Sequence, residues 1–550
     1  MSEIVGVDFG TSTSLVSTSA IRGARMLPLG DLTTWVPSIA GLSETSWLVG
    51  EDAAHLPESS LVRSAKRAIT ENLTQLKITD GAHEVIVLAD DVIRDILQMI
   101  AERIEYNALP ITDGSATVRL GCPAMWSGQQ RRRLIRLANE AGVPVHDTTL
   151  VDEPVAAGVA WVNRQLALGS FISGKVLVYD MGGGTLDIAV LRVTAYQEAG
   201  DRRADIWVQA ANGTDVAGDR VDRALRDILK ARLADAGFDA SDLNHPSDLD
   251  DWLLRAAREA KVELTKLEET SVSVAHPHVD VPLCTLFRTD VDQAIRPLLD
   301  ASMERVWEVA RAALMSQTSS RSESAALAPD QARRLSANEL ARGIDHVLVA
   351  GGMARVPALR EFLGEHFGHD RIHQVDDPEQ LIAAGLGAND AYESLNLHRP
   401  GFDFVLTWLD PAGSRREVQV YEAYTPFYDR QQVLYSNSVA YQRRFGTADD
   451  LPRQGEAMIA ARTVSGQTIP LEIDGVRSDG IPFKFGYGTD AMLSIEPNGR
   501  VFVRDTKGYG TEWFISRWPV IKGRGAEAVK ISRTRETLPE RKWYYDHSGD

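Results

Sequence analysis

VLVYDMGGGTLDIAVLRV, residues 176–193, reads as two apolar strands joined by three glycines and flanked by two aspartates. A tight hairpin is closed by about two turn residues, so Gly182, Gly183 and Gly184 are more than turning requires. Glycines let successive backbone N–H groups close on a phosphate as a concave anion site. Thr185 adds a hydroxyl, and Asp180 and Asp187 stand at either end of the turn. An earlier stretch, IVGVDFGTSTSLVS from Ile4, repeats the plan: strand, Asp8, then Gly10, Thr11, Ser12 and Thr13, then strand. A third, HVLVAGGMARVPALREFL from His346, passes from a strand through Gly351 and Gly352 into a helix. The first two form a weak internal repeat and predict a duplicated α/β domain with a hairpin in each half.

Two such loops facing each other would grip a polyphosphate from both sides and bring Asp8, Asp180 and Asp187 together. Carboxylates beside a polyphosphate repel it unless a cation intervenes, and magnesium, held largely through its waters, is the expected one. No Gly-Lys-Ser/Thr phosphate loop occurs, which excludes a Walker-type ATPase.

Composition is that of an ordinary globular protein, with 44% hydrophobic and 25% charged residues in a chain of 550, long enough for several domains. The net charge of −18 argues against nucleic acid as a partner. The two cysteines, Cys122 and Cys284, cannot build a disulfide framework or a zinc site, and a reducing cytoplasm is the natural setting. The N-terminus enters a strand at once, leaving no room for a signal peptide, and no apolar run is long enough to cross a membrane.

Helical periodicity appears from Gln129, with Leu134, Leu137 and Ala141 on one face and Gly142 as a stop. It recurs from Asp248, and again from Arg288 as one helix or two joined at Pro297. On the second of these, Arg258, Lys261 and Thr265 share one face, and Ala256, Ala260, Leu264 and Leu267 make the core side. The Ser-rich stretch from Ser316 reads as an exposed, partly disordered insertion. Beyond about Arg399 alternating segments predict an all-β region to Pro519, with Asn498–Gly499 as a hairpin turn, and then a loose polar tail.

GVDFGTST, VPSIAGL, VGEDAA, SAKRAI, CPAMWSGQQR, LVDEPVAAGVAW, YDMGGGTLDIAV, AANGTDVAGD, EAKVELT and VLVAGGMARVP follow in the order seen in the 70-kDa heat-shock chaperones, which this sequence resembles over Met1 to Leu395. The resemblance implies an α/β fold class: a duplicated, actin-like (ribonuclease-H-like) two-lobe ATPase domain over residues 1–395. A linker at 396–410, an all-β, sandwich-like substrate-binding domain at 411–532 and a polar tail at 533–550 would follow. It implies ATP and Mg2+ as cofactors. Thr11 and Ser12 would hold the β- and γ-phosphates, with Gly10, Thr13 and Gly182 to Gly184 around them and Thr185 on the γ-phosphate. Taken alone, Lys66 reads as a solvated helix lysine; the resemblance sends it to the γ-phosphate and the attacking water. Glu153 would orient water near the metal, Asp180 would position the attacking water, and Asp8 and Asp187, with Asp180, would hold the metal's waters. Gly218, Arg258, Lys261, Thr265, Gly351, Gly352, Arg355 and Glu379 would bind the adenosine part, although the helix face of Arg258, Lys261 and Thr265 reads equally as solvated when taken alone.

The sequence departs from the family at Arg258, where glutamate is usual, at Met353–Ala354 in place of a Ser-Thr pair, and at Glu379 in place of aspartate. Pro123 and Arg131 match residues that couple nucleotide state to the second domain. Thr149, Asp152 and Val155 replace the family's J-domain-docking residues, which puts ordinary J-domain docking in doubt. About thirty residues follow the β region, too few for a helical lid, so a lidless member is expected. Three functions follow: a slow, ATP-switched chaperone that binds unfolded or extended polypeptide, an ATP-binding scaffold for one dedicated protein partner, and a small-molecule kinase of the actin fold.

Overall fold

The computed structural model describes residues 3–20, 23–43, 46–80, 83–107, 109–198, 200–238, 246–274, 280–315, 327, 329–388, 393–394, 399–428, 430–435, 440–445, 455–485, 490–496, 499–505, 510–517 and 529–533. They fall into two compact units, Met1–Ala310 with Ser336–Tyr392, and Arg311–Leu335 with Glu393–Asp550.

The first unit is built on two sheets of the same design. In one, β1 (Glu3–Phe9), β2 (Thr13–Ser19), β3 (Ala24–Met26), β4 (Ala116–Cys122) and β5 (Leu150–Asp152) lie in the order β5-β4-β1-β2-β3. In the other, β6 (Ser173–Met181), β7 (Leu186–Glu198), β8 (Asp201–Thr214), β9 (His346–Ala350) and β10 (Ile372–His373) lie in the order β10-β9-β6-β7-β8. In both sheets the first two pairings are parallel and the next two antiparallel. The weak repeat in sequence is therefore a repeat of topology. The middle strands β1 and β6 are paired on both edges and buried on both faces, which is why they read as near-continuous apolar runs. Val5, Val7 and Phe9 pack in one core with Ile93, Ile96, Leu134 and Leu137, and Val176 and Val178 pack in another with Ala157, Trp161 and Leu348.

The helices obey local rules. Gly128–Glu140 opens on a capping box between Ser127 and Gln130, and Gly142 stands beyond its end at φ +83°. Arg288–Met315 is a single helix that contains Pro297, not two. The helix expected from Asp248 runs Pro246–Leu264. It ends before Leu267, which is 50% exposed and not on the core side as expected, while Ala256, Ala260 and Leu264 are buried. The Ser-rich stretch 316–326 and the tail 534–550 lie outside the described residues.

The second unit carries two sheets. The first has the order 415–421, 403–409, 455–462, 468–469, with 481–485 also on 455–462; the second runs 441–445, 491–495, 500–505, 510–517, 529–533, 471–473, 476–478. The segment expected as a linker, 396–410, holds the strand Asp403–Leu409, buried except at Leu409 and paired on both edges. Its apolar run Phe404 to Trp408 is a sheet interior, which a linker would have no reason to bury. The expected all-β region also contains the short helix Arg430–Tyr435. Of the hairpin turn Asn498–Gly499, only Gly499 is described; it sits at φ +93° between the paired strands 491–495 and 500–505.

Candidate functional site

The hairpin registers set the site. Asp180 stands directly across from Asp187, and Asp8 across from Leu15, at the loop ends of β6–β7 and β1–β2. β9 runs parallel to β6 and pairs Ala350 with Asp180, which brings Gly351 to the same end. At Gly351, φ is +78° and a Cβ would stand 2.4 Å from the Met181 carbonyl oxygen, so this position takes glycine on both counts. The two phosphate loops face each other: a Cβ on Gly183 would meet Ser12 Oγ at 2.8 Å, and one on Gly184 would meet the Thr11 side chain at 2.8 Å.

Between them lies a cavity of about 240 Å³. Asp8, Gly10, Thr11, Ser12 and Thr13 line it from the first loop, and Asp180, Gly182, Gly183 and Thr185 from the second. Lys66, Glu153, Lys261, Gly351, Gly352 and Glu379 complete the residues expected there. Leu15, Val262, Met353 and Ile382 also line it and were not anticipated. Being apolar, they carry no local signal of a site: Leu15 and Met353 follow glycine loops, and Val262 and Ile382 lie on the helices Pro246–Leu264 and Leu381–Gly387.

Six residues expected at the site do not line this cavity. Gly184 packs behind it on Thr11. Asp187 is buried beneath it, accepting the Ala124 N–H at 2.7 Å. Gly218 begins the helix Gly218–Asp235 and donates its N–H to the Gly182 carbonyl at 3.1 Å, so it braces the loop. Thr265 spends its hydroxyl on the Val262 carbonyl at 2.7 Å, just past the end of its helix. Arg355 donates to Glu379 Oε1 at 2.7 Å. Arg258 lines a neighbouring cavity instead.

Lys66 is no solvated lysine. It is 3% exposed, it pairs with Glu153, and its ammonium stands 5.9 Å from the centroids of Phe9 and Trp126. Burial pushes its pKa down, but Glu153, Asp8 and Asp187 outweigh that and hold it above the usual lysine value. The aspartates behave oppositely. Burial, then the charge of Glu153, raises both Asp8 and Asp187 to about 7. Asp180 is raised well above the usual carboxylate range by burial, then by Glu153, Asp187 and Asp8. Four carboxylates around one ammonium form a site short of positive charge, and this fits a divalent cation. Among the described residues no three His, Cys, Asp or Glu side chains are close enough to hold a metal directly. The carboxylates of Asp8, Asp180 and Asp187, hard oxygen donors beside two glycine loops, fit an ion carried largely on its own waters and a phosphate, which is magnesium's preference.

Beside the site, Arg131 is buried and holds Asp152 at 2.5 Å, with Nη2 also on the Pro123 carbonyl at 3.3 Å. Thr149 and Val155 are buried.

Twin sheets whose central hairpins end in facing glycine loops, with carboxylates and a lysine between them, define a phosphate-binding α/β architecture. The chain belongs to the Hsp70 family: the model for the Hsp70 protein matches residues 4–391. It is 28% identical over 430 residues to the chaperone protein HscA of Pectobacterium carotovorum subsp. carotovorum (strain PC1), covering 74% of this chain and 60% of that one. It is 26% identical over 485 residues to the chaperone protein DnaK of Thermosipho africanus (strain TCF52B), covering 86% and 71%. It is 30% identical over 409 residues to the HscA homolog of Pseudomonas putida, covering 69% and 56%. The match thus spans 60% of the first of these relatives and 56% of the HscA homolog. Among the described residues no helix is long and apolar enough to cross a membrane.

Proposed function

We propose that the chain binds ATP with magnesium between its two glycine loops and hydrolyses it slowly, and that nucleotide state sets the affinity of its β-rich unit for an extended polypeptide. The observation that carries this reading is the buried pairing of Asp180 with Asp187 across a Gly-Gly-Gly turn, opposite Asp8 and Lys66. Like charges directly across a hairpin are destabilising, and a bound cation removes that cost. The similarity to the chaperone proteins HscA and DnaK supports the chaperone half.

Within this reading, Thr11, Ser12 and the N–H groups of both loops hold the phosphates, and Asp8, Asp180 and Asp187 hold the waters of the metal. The magnesium ion would neutralise charge on the phosphate oxygens. Asp180 orients the attacking water and accepts its proton, Glu153 fixes the ammonium of Lys66, and that ammonium offsets charge on the γ-phosphate. The dry floor made by Phe9 and Trp126 strengthens each of these interactions. Thr185→Ala is expected to lower single-turnover ATP hydrolysis about tenfold or more, with nucleotide binding retained. Wild-type hydrolysis in that variant would overturn the assignment.

A second reading, a scaffold for one dedicated partner, is favoured by one local fact. Two of the three positions where the resemblance expects J-domain docking, Thr149 and Val155, are buried, and Asp152 is held by Arg131. Titration of a fluorescent extended peptide with and without ATP separates the readings, since equal affinity in both states would leave only the scaffold.

A further inference from the structure

A second cavity of about 240 Å³ shares Thr11, Ser12, Gly183, Lys261 and Val262 with the first and is not lined by Gly351 or Gly352. Its polar walls beyond the two loops are Arg63, Ser64, Asp219, Asp222, Arg258 and Lys261, three cations against two carboxylates. Arg63 is committed to Glu58 through two contacts of 2.6 and 2.7 Å. The Lys261 ammonium stands 2.5 Å from Asp222 and lines both cavities. Arg258 differs. Its nearest carboxylates, Asp222 and Glu58, lie at 3.6 and 3.7 Å, and it makes no hydrogen bond among the described residues. A guanidinium offers five donors in a fixed fork that suits the oxygens of a tetrahedral oxyanion. Ser64 presents its hydroxyl from the same wall, on a backbone held at φ +57°, a conformation a serine rarely adopts.

We propose that this second cavity is an oxyanion site, with Arg258 as its principal donor, and that its occupant is the inorganic phosphate released beside Thr11 and Ser12. The proposal rests on the ATPase reading for the source of the anion. Water adds across the bond between the γ-phosphorus and the bridging oxygen; its oxygen stays on orthophosphate, the bridging oxygen leaves with ADP, and a proton is released. The product is then formed next to a cavity in which the Arg258 guanidinium makes no hydrogen bond among the described residues, and it moves there while ADP remains bound. Arg258 thereby serves the product phosphate and not the nucleoside, where the family resemblance would place it. Arg258 and Ser12, from opposite halves of the unit, are bridged only while phosphate is present, so its departure separates from that of ADP.

The test is calorimetric titration of inorganic phosphate into the full chain loaded with magnesium and a non-hydrolysable ATP analogue, which fills the γ position. Phosphate is expected to bind still, and Arg258→Ala to weaken that binding about tenfold, more than it weakens ADP. Glu58→Gln, which removes a competing carboxylate from Arg258 and Arg63, is expected to tighten phosphate binding; this opposite sign holds even if Arg258→Ala folds poorly. Loss of all phosphate binding in the analogue-loaded chain would overturn the proposal, as would an Arg258→Ala variant weakened for ADP as much as for phosphate. Phosphate binding with the expected variant pattern, in a chain that leaves ATP intact, would uphold the oxyanion site and sink the ATPase reading alone.

Discussion

At the residue scale the site is a balance of charge in a dry place. Lys66 and Glu153 compensate each other, and removing one strands the other. Lys66→Ala leaves Glu153 buried and unpaired, which costs about 3–5 kcal/mol, so it should lower the melting temperature as well as turnover. Thr185→Ala, which removes one hydroxyl that also bonds Asp187, should lower turnover with a smaller loss of melting temperature than Lys66→Ala. The aspartates give a pH signature. Asp8 and Asp187 titrate near 7 in the folded chain, and Asp180 is raised well above its ordinary value. Between about pH 4 and about pH 7 the folded state therefore holds protons that the unfolded chain has released, and stability falls as pH rises through that window. The nucleotide-free protein should melt at a lower temperature at pH 8 than at pH 6. Asp180→Asn, which removes a carboxyl that burial and its acidic neighbours keep from ionising, should raise the stability at pH 8 and flatten its pH dependence. A pH-independent melting curve in wild-type protein would remove the electrostatic account of the site.

At the scale of elements, the short helix Leu381–Gly387 is placed by glycines. A Cβ on Gly385 would lie 1.9 Å from the Ala156 carbonyl oxygen, one on Gly387 would lie 2.1 Å from Ser17 Oγ, and one on Gly6 would lie 2.3 Å from Gly387 N. The helix thus packs backbone to backbone against the helix Glu153–Ala167 and against β1. Gly385→Ala has no flexible side chain to push aside and must shift the helix, at a cost of about 3 kcal/mol. A chemical-denaturation midpoint within error of wild type would show that the contact is looser than this. Such contacts explain what the sequence could and could not convey. The two hairpins, their glycine turns and the strand-to-helix passage at Gly351 were legible, because their signals lie within a few residues of one another. The environment of Lys66 was not, since Phe9, Trp126 and Glu153 arrive from elsewhere in the chain, and its own segment reads as a surface helix. The different places of Arg258 and Lys261 were equally hidden: they share a helix face, but Lys261 lines both cavities and Arg258 only the second, with Asp222 and Glu58 arriving from elsewhere in the chain. The strand Asp403–Leu409 is locally visible as an apolar run, whereas the family resemblance implies a linker over those residues.

At the scale of the whole molecule, two compact units and the nucleotide site proposed for the first of them make a claim about linkage. A ligand that binds the folded first unit stabilises it by about 2.7 kcal/mol at a hundred times its dissociation constant. Magnesium with ATP should therefore raise the first unit's melting transition, and either one alone should raise it less. If nucleotide state also sets polypeptide affinity, the coupling must run both ways. Should ATP weaken an extended peptide tenfold relative to ADP, that peptide must shift the balance between ATP and ADP affinity by the same tenfold, about 1.4 kcal/mol. Titrations of fluorescent ATP and ADP with and without saturating peptide measure this directly. A shift of the nucleotide balance by that factor would show that nucleotide and polypeptide affinities are coupled through this chain. A peptide that leaves both nucleotide affinities unchanged would mean the β-rich unit holds its partner independently of the ATP site, which is the behaviour of a scaffold and not of a switch.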